Sequence, residues 1–261
     1  MNADAPSHAA ALGQALADAW TRSQALNERD WSLPDEAAAY AAQEVLARTL
    51  DWTARGRPQF WKCGGGSRTA PLGQSPLAPH GVREVRGLRN GGDFSDLRLF
   101  GAEAEIALRL GRDVTPEMAA ALAPGETGDL IDAMCVAVEW LNSRWAGAMK
   151  ADPLLRLADA QSHGALALGP WQRWDPTRDW RQQPCELQVG DAAPLAGIGG
   201  HGLDDPGWTV AHWLKVATRG GQTLSAGSVV TTGAWRVALD LPPGTTVTAR
   251  YDGLGSLTVR N

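Results

Sequence analysis

The chain has 261 residues, a formal net charge of −5 and a pI near 5.5, with 44% hydrophobic and 20% charged residues. It is long and apolar enough to bury a sizeable core, and this balance excludes both a disordered chain and a basic nucleic-acid-binding surface. No stretch approaches the roughly 20 apolar residues that a membrane-crossing helix needs.

The opening "MNADAPSHAAALGQALADAW" lacks the basic and continuously apolar regions of a secretion signal, so a cytoplasmic protein is expected. Residues 8 to 27 and 35 to 50 read as two helices. Ser32 is placed to cap the second, with Asp35 as the acid of a capping box. "PQFWKCGGGSR" reads as a strand running into a long loop rich in Gly, Pro and Arg that lasts to about residue 95. A strand follows over 97 to 110, then a helix from "TPEMAAALA" with Thr115 as cap and Pro116 in its first turn. "AMCVAVEWL", 133 to 141, reads as a buried strand and "RWAGAMKADP" as a loop. "GALALG" and "CELQVG" are strands, and Asp205 and Pro206 open a helix in "DDPGWTVAHWLKVATRGG". Three strands close the chain: "SVVTTGAW", "TTVTARYD" and "GSLTVRN". Helices are too few between these strands for a βαβ alternation, so an α+β fold with a mixed sheet is expected.

The three cysteines, Cys63, Cys135 and Cys185, are widely spaced and odd in number, which fits reduced thiols. Tryptophan is over-represented, 12 against 2 Tyr and 3 Phe, and buried indoles with hydrogen-bonded N–H groups are expected.

Glu103 and Glu105 in "GAEAEIALRLGRD" stand two apart, so on a strand their carboxylates share one face about 6.5–7 Å apart. The pair alone fits a metal seat and the wet face of an edge strand equally. Glu139, embedded in "CVAVEWL", adds an acid whose burial calls for a cation. Three oxygen donors without a neighbouring His or Cys suit a hard cation, Mg²⁺ first and Mn²⁺ as the alternative. Lys62, between Trp61 and Cys63 and followed by three glycines, is a candidate charge partner or a snorkelling surface side chain. The glycines do not make a phosphate loop, because neither GxxxxGK[ST] nor a helix-opening GxGxxG is present. Ser162 and His163 are adjacent without the GxSxG elbow, which argues against a serine hydrolase. In an extended segment Asp159 and His163 share a parity that Ser162 does not, so either set can face a cleft.

Taken in order, these segments resemble the 2-keto-4-pentenoate hydratase and 4-oxalocrotonate decarboxylase branch of the fumarylacetoacetate hydrolase superfamily. The resemblance is carried by "LPDEAAAYAAQEVLAR", "WKCGGGS", "GAEAEIALRLGRDV", "VAVEWLNSRW", "LADAQSHGALALG", "HWLKVATRGGQTLSAGSVVTTG" and "GLGSLTVR". It implies a mixed β-rich roll with an N-terminal helical part, residues 1–58 capping a single domain that spans 1–261. It further implies Glu103, Glu105 and Glu139 as Mg²⁺ ligands, Lys62 as the catalytic cation at the substrate carboxylate, and Ser162 as a substrate contact, with Asp159 beside it.

The implied activity is that of a hydratase-like lyase, adding water to a short 2-hydroxydienoic acid through a metal-chelated enolate in aromatic-compound breakdown. A 4-oxalocrotonate-type decarboxylase and a catalytically weak homologue that binds a 2-oxo acid are the alternatives. A homo-oligomer is implied, as is association with a related decarboxylase or hydratase. The chain departs from the branch in three places. The acid of the loop after the lysine segment has no counterpart in "PLAPHGVREV", where His80 is the substitute. Asn142 stands where members often carry Asp, and Ala234 and Trp235 stand after Gly233 where a small hydroxyl residue is common.

Overall fold

A computed structural model describes residues 8–261. Two helices come first, α1 (His8–Arg22) and α2 (Glu36–Thr49). The cap of α2 is Asp35, whose side chain accepts from the Ala38 N–H at 2.9 Å, so the helix begins later than a Ser32 cap would place it. Both helices turn an apolar face inward. Leu12, Leu16, Leu46 and Trp52 pack there with Trp145 and Leu155, and full burial of each leucine contributes roughly 1.5–3 kcal/mol.

The strands are β1 (Phe60–Gly64), β2 (Gly73–Pro76), β3 (Val82–Glu84) and β4 (Gly101–Leu110), followed after α3 (Pro116–Ala121) by β5 (Ile131–Leu141). Helix α4 (Pro153–Ala158) then leads to β6 (His163–Leu168), β7 (Gln172–Arg173), β8 (Pro184–Val189) and β9 (Leu195–Ile198). Helix α5 (Val210–Ala217), β10 (Val229–Thr231), β11 (Arg236–Ala238), β12 (Thr246–Tyr251) and β13 (Gly255–Arg260) complete the chain. A nine-stranded sheet runs β2-β1-β10-β4-β5-β6-β3, with β11 on β4 and β7 on β5, and a four-stranded sheet runs β13-β12-β8-β9. The β1–β10 and β3–β6 pairs are parallel and the others antiparallel, so the fold is the expected α+β type with a mixed, curled sheet.

β4 and β5 are buried on both faces, which is why their apolar runs do not alternate with polar residues. One face, with Ala104, Ile106, Val136, Val138 and Trp140, joins the main core beside the second sheet. The other carries Ala107, Cys135 and Ala137 toward Leu166 and Leu168, and further along it the acids. The expected closing strand over "SVVTTGAW" ends with β10 before Gly233, whose φ of 109° favours glycine, and β11 begins only beyond that segment. The expected 65–95 loop contains β2 and β3, and β9 and α4 were not anticipated.

The indoles contradict the sequence expectation. Trp61 and Trp145 donate to Gln59 and to the Leu155 carbonyl. Those of Trp20, Trp52, Trp140, Trp174, Trp180, Trp213 and Trp235 are buried without a partner. Tryptophan serves here mainly as apolar bulk, with Trp174, Trp180, Trp235 and Tyr251 in ring contact.

Candidate metal centre

In the antiparallel register of β4 and β5, Glu103 stands opposite Glu139, and Glu105 presents its side chain to the same face two residues on. The three carboxylates each offer an oxygen within 4.8 Å of the others. Glu105 is 1% exposed and Glu139 0%, so these acids do not form the wet strand face. β1 adds the cation: Lys62 Nζ donates to Glu139 Oε1 at 2.8 Å. His163 Nδ1 lies 3.0 Å from the same oxygen, while Glu139 Oε2 is buried with no hydrogen-bond partner. The Gly233 N–H donates to Glu105 Oε2 at 2.9 Å, so the break between β10 and β11 orients a carboxylate.

Burial pushes Glu105 up to about 8 and Glu103 up to about 7; neighbouring carboxylates add to both rises and Lys62 opposes them. Burial also acts to raise Glu139, but Lys62 and His163 outweigh it and hold that carboxyl below its ordinary value. Burial alone would lower the Lys62 ammonium; Glu139, Glu103 and Glu105 outweigh it, so the group is raised. The surrounding carboxylates therefore hold Lys62 as a cation in this arrangement.

A divalent cation fits this donor set. Fully ionised, the carboxylates outweigh Lys62 by two charges, the donors are all oxygen, and Glu139 Oε2 is an orphaned acceptor facing no protein donor. Glu103, Glu105 and Glu139 are the residues that would hold it.

A stability prediction follows from the raised acids. Their ordinary value is 4.5, so the folded metal-free protein retains protons that the unfolded chain releases. Their contribution is present below 4.5 and is lost as pH rises through 7 and 8. His201, pushed down to about 4 by burial, acts in the opposite sense but only below its ordinary 6.5, so pH 6.5 to 8.5 isolates the carboxylates. In chelator, the Tm should fall by several degrees across that interval, and Mg²⁺ should restore it at pH 8. A Tm independent of both would contradict the assignment.

Glu103 and Glu105 open onto a cavity of about 430 Å³ lined also by Lys62, Gly64, Gln161, His201 and Ala234. A second cavity of about 320 Å³ adjoins it, with Glu103 and Gln161 in both walls, and Tyr40, Leu72, Arg156 and Ser162 around the rest. His201 bonds the Thr232 carbonyl through Nε2 at 2.7 Å and accepts from the Leu203 N–H at Nδ1, so neither nitrogen is free to act as a base.

Ser162 thus reaches the second cavity, and Asp159 reaches neither. Asp159 is corrected as a substrate contact: it is 0% exposed, and it accepts from the Arg144 backbone N–H at 2.9 Å and from Arg144 Nε at 2.5 Å. His80 is exposed against Trp20 and lines neither cavity. Gln74, on β2, accepts from Tyr40 Oη at 3.3 Å and is bonded to His212 Nε2 at 2.9 Å, and it lines neither of these cavities. Asn142 Oδ1 accepts from the Ser143 N–H at 2.7 Å, a turn contact. Trp235 packs into the core against Tyr251, leaving only Ala234 at the cavity.

Gln161 and Arg156 were not among the sequence candidates, and His163 was weighed only through its parity with Asp159. His163 alone had a signal, its place in "QSHG".

The fumarylacetoacetate (FAA) hydrolase C-terminal family matches residues 89–260, about two thirds of the chain, which spans both acidic strands. The chain belongs to that family. Among solved structures it is similar to 4-oxalocrotonate decarboxylase from Pseudomonas putida G7, complexed with magnesium and adipate, at 22% identity. The TM-score is 0.75, over 97% of this chain and 96% of that one. The same enzyme complexed with calcium and acetate matches at 21% identity and a TM-score of 0.74, with the same coverage. Fumarylpyruvate hydrolase from Pseudomonas aeruginosa, in complex with Mn²⁺ and pyruvate, matches at 17% identity and a TM-score of 0.54, over 77% of this chain and 88% of that one. No curated protein sequence matches. Among the described residues, no helix is long and apolar enough to cross a membrane.

Proposed function

We propose that the chain is a divalent-metal-dependent lyase of short 2-oxo acids, a hydratase acting on a 2-hydroxydienoic acid. The observation that carries this reading is the convergence of Glu103, Glu105 and Glu139 beside Lys62, with Lys62, Glu103 and Glu105 on the wall of an open cavity and Glu139 buried behind them. A Mg²⁺ or Mn²⁺ ion held by those acids would supply Lewis-acid polarisation of a 2-oxo group, the chemistry shared by hydration and decarboxylation. The chain's own groups do the rest. Lys62, kept protonated, holds the substrate carboxylate, and its bond to Glu139 fixes where that anion docks. His163 fixes Glu139 from the other side. Leu72, Leu141 and Met149 give the second cavity an apolar wall for the carbon chain, with Ser162 and Gln161 as polar groups toward an adding water.

Decarboxylation is the second reading. The likeness to the decarboxylase covers 97% of this chain, N-terminal helices included, and α2 supplies Glu36 and Tyr40 to the second cavity. This also supports residues 1–58 as a cap within one functional unit. A homo-oligomer is part of the same proposal, to be read by light scattering.

Purified protein with Mg²⁺ should consume 2-hydroxypenta-2,4-dienoate or a dicarboxylic analogue, seen as loss of conjugated absorbance without carbon dioxide release. Carbon dioxide release from 4-oxalocrotonate would establish the second reading. Inertness toward all of them would leave a silent homologue.

A further inference from the structure

The cavity that Glu105 faces is walled in part by a buried histidine that the proposed chemistry leaves unused. His201, in the loop between β9 and α5, is 4% exposed, and both of its ring nitrogens are committed. Nε2 lies 2.7 Å from the Thr232 carbonyl oxygen, and Nδ1 lies 3.3 Å from the Leu203 backbone nitrogen. A carbonyl can only accept and a backbone N–H can only donate, so Nε2 carries the hydrogen and Nδ1 is the bare nitrogen. The ring is therefore neutral and held in one tautomer, in keeping with a value pushed down to about 4, chiefly by burial. Leu203 is anchored in turn: its carbonyl accepts from Arg68 Nε at 2.7 Å, and the Arg68 guanidinium stands over the Trp208 ring.

The carbonyl that His201 holds belongs to the peptide group that serves the metal centre. Thr232 C=O and Gly233 N–H are the two ends of one planar trans unit, so they point in opposite directions. His201 Nε2 takes one end, and at the other the Gly233 N–H donates to Glu105 Oε2 at 2.9 Å. Among the described residues this is the one hydrogen bond made to Glu105, and it favours the ionised carboxylate against the rise that burial imposes. Gly233 is the weak point of the arrangement. At φ 109° and without a side chain, glycine tolerates either orientation of the preceding peptide, and the reversed one would aim the Thr232 carbonyl at the carboxylate. The Thr232 hydroxyl donates to the Ile106 carbonyl at 2.8 Å, which ties down the side chain but not the plane of the peptide that follows. A donor on the Thr232 carbonyl fixes that plane and polarises its N–H toward Glu105.

We propose that His201 is a positioning residue of the metal centre, which acts through the Thr232–Gly233 peptide to hold the Glu105 carboxylate toward Glu103 and Glu139. This rests on the metal reading of the three acids and deepens it. His201 acts on the cation only through that peptide, and it moves no proton.

Calorimetric titration with Mg²⁺ alone tests this without turnover, on two variants that separate the hydrogen bond from the bulk of the ring. His201→Phe keeps a ring to pack against Trp235 but has no donor, whereas His201→Gln lacks the ring and carries an amide N–H for the Thr232 carbonyl. His201→Phe should bind Mg²⁺ about 10- to 100-fold more weakly, the usual loss for a group that supports a metal ligand, and His201→Gln should regain most of it. Unchanged Mg²⁺ affinity in His201→Phe, or equal weakening in both variants, would overturn the positioning role while leaving the metal reading intact. A measurement on the unaltered protein keeps the proposal testable even where a variant fails to fold. Long-range ¹H–¹⁵N NMR at pH 7 should show His201 as the Nε2–H tautomer, and the Nδ1–H tautomer or a charged ring would overturn the proposal. Absence of Mg²⁺ binding by the unaltered protein would overturn both the positioning role and the metal reading.

Discussion

Replacing Glu105 with Gln should abolish Mg²⁺-dependent turnover while leaving a folded protein. Glu105 is buried, its Oε2 already takes the Gly233 N–H, and its partners Glu103 and Glu139 each lie within 4.8 Å as ligand atoms. An amide is nearly isosteric, so packing is preserved, but the donor set loses one negative charge and a strong oxygen ligand. Loss of a supporting group around a metal typically costs 10–100-fold in affinity, and loss of a ligand itself should cost at least about 100-fold. The variant should also lose part of the pH-dependent destabilisation at pH 8, because a carboxyl pushed up to about 8 by burial is replaced by a neutral group. Titration of Mg²⁺ by calorimetry, with circular dichroism for the fold, separates these effects. Wild-type metal affinity and turnover in Glu105→Gln would remove Glu105 from the centre.

The second large effect falls on a residue away from the cavity. Asp159→Ala should cost about 3–5 kcal/mol, because it leaves the Arg144 guanidinium buried and unpaired. Burial holds the Asp159 carboxyl above its ordinary value even beside Arg144, so the intact pair contributes more through position than through net Coulomb energy. Breaking it is the costly event. A loss of that size corresponds to a Tm drop of about 10 °C or more in a chain of this length. The same change should loosen the left-handed run at 160–162, so KM should rise even at temperatures where the protein stays folded. A loss below about 1 kcal/mol in urea unfolding would contradict the structural role assigned here.

The two predictions divide along what the sequence made legible. Glu103, Glu105 and Glu139 could be read together because strand geometry is simple: period two fixes the face, and an acid inside an apolar run requires a partner. Lys62 was legible for a similar reason, as a charge inside "FWKCG". Asp159 misled the reading because parity was counted along an extended segment, whereas "LADAQS" is a helix end followed by left-handed residues with no glycine to announce them. That same irregularity hid Gln161.

Element boundaries failed where side chains outside the local window decided them. Ser32 and Asp35 both qualify as caps by type, and only the bond to the Ala38 N–H selects Asp35. The closing strand reads as continuous through Gly233, because nothing local shows that the Gly233 N–H is committed to Glu105 on another strand. The overall α+β class was easier, since it depends only on the count and order of elements.

The three carboxylates of β4 and β5 should form one cation site. A crystal of the protein soaked in Mn²⁺ tests it most directly, through the anomalous signal of the ion. A single peak bounded by Glu103, Glu105 and Glu139, absent in Glu105→Gln, is the predicted result. An empty triad under saturating Mn²⁺, with the ion elsewhere or nowhere, would contradict it.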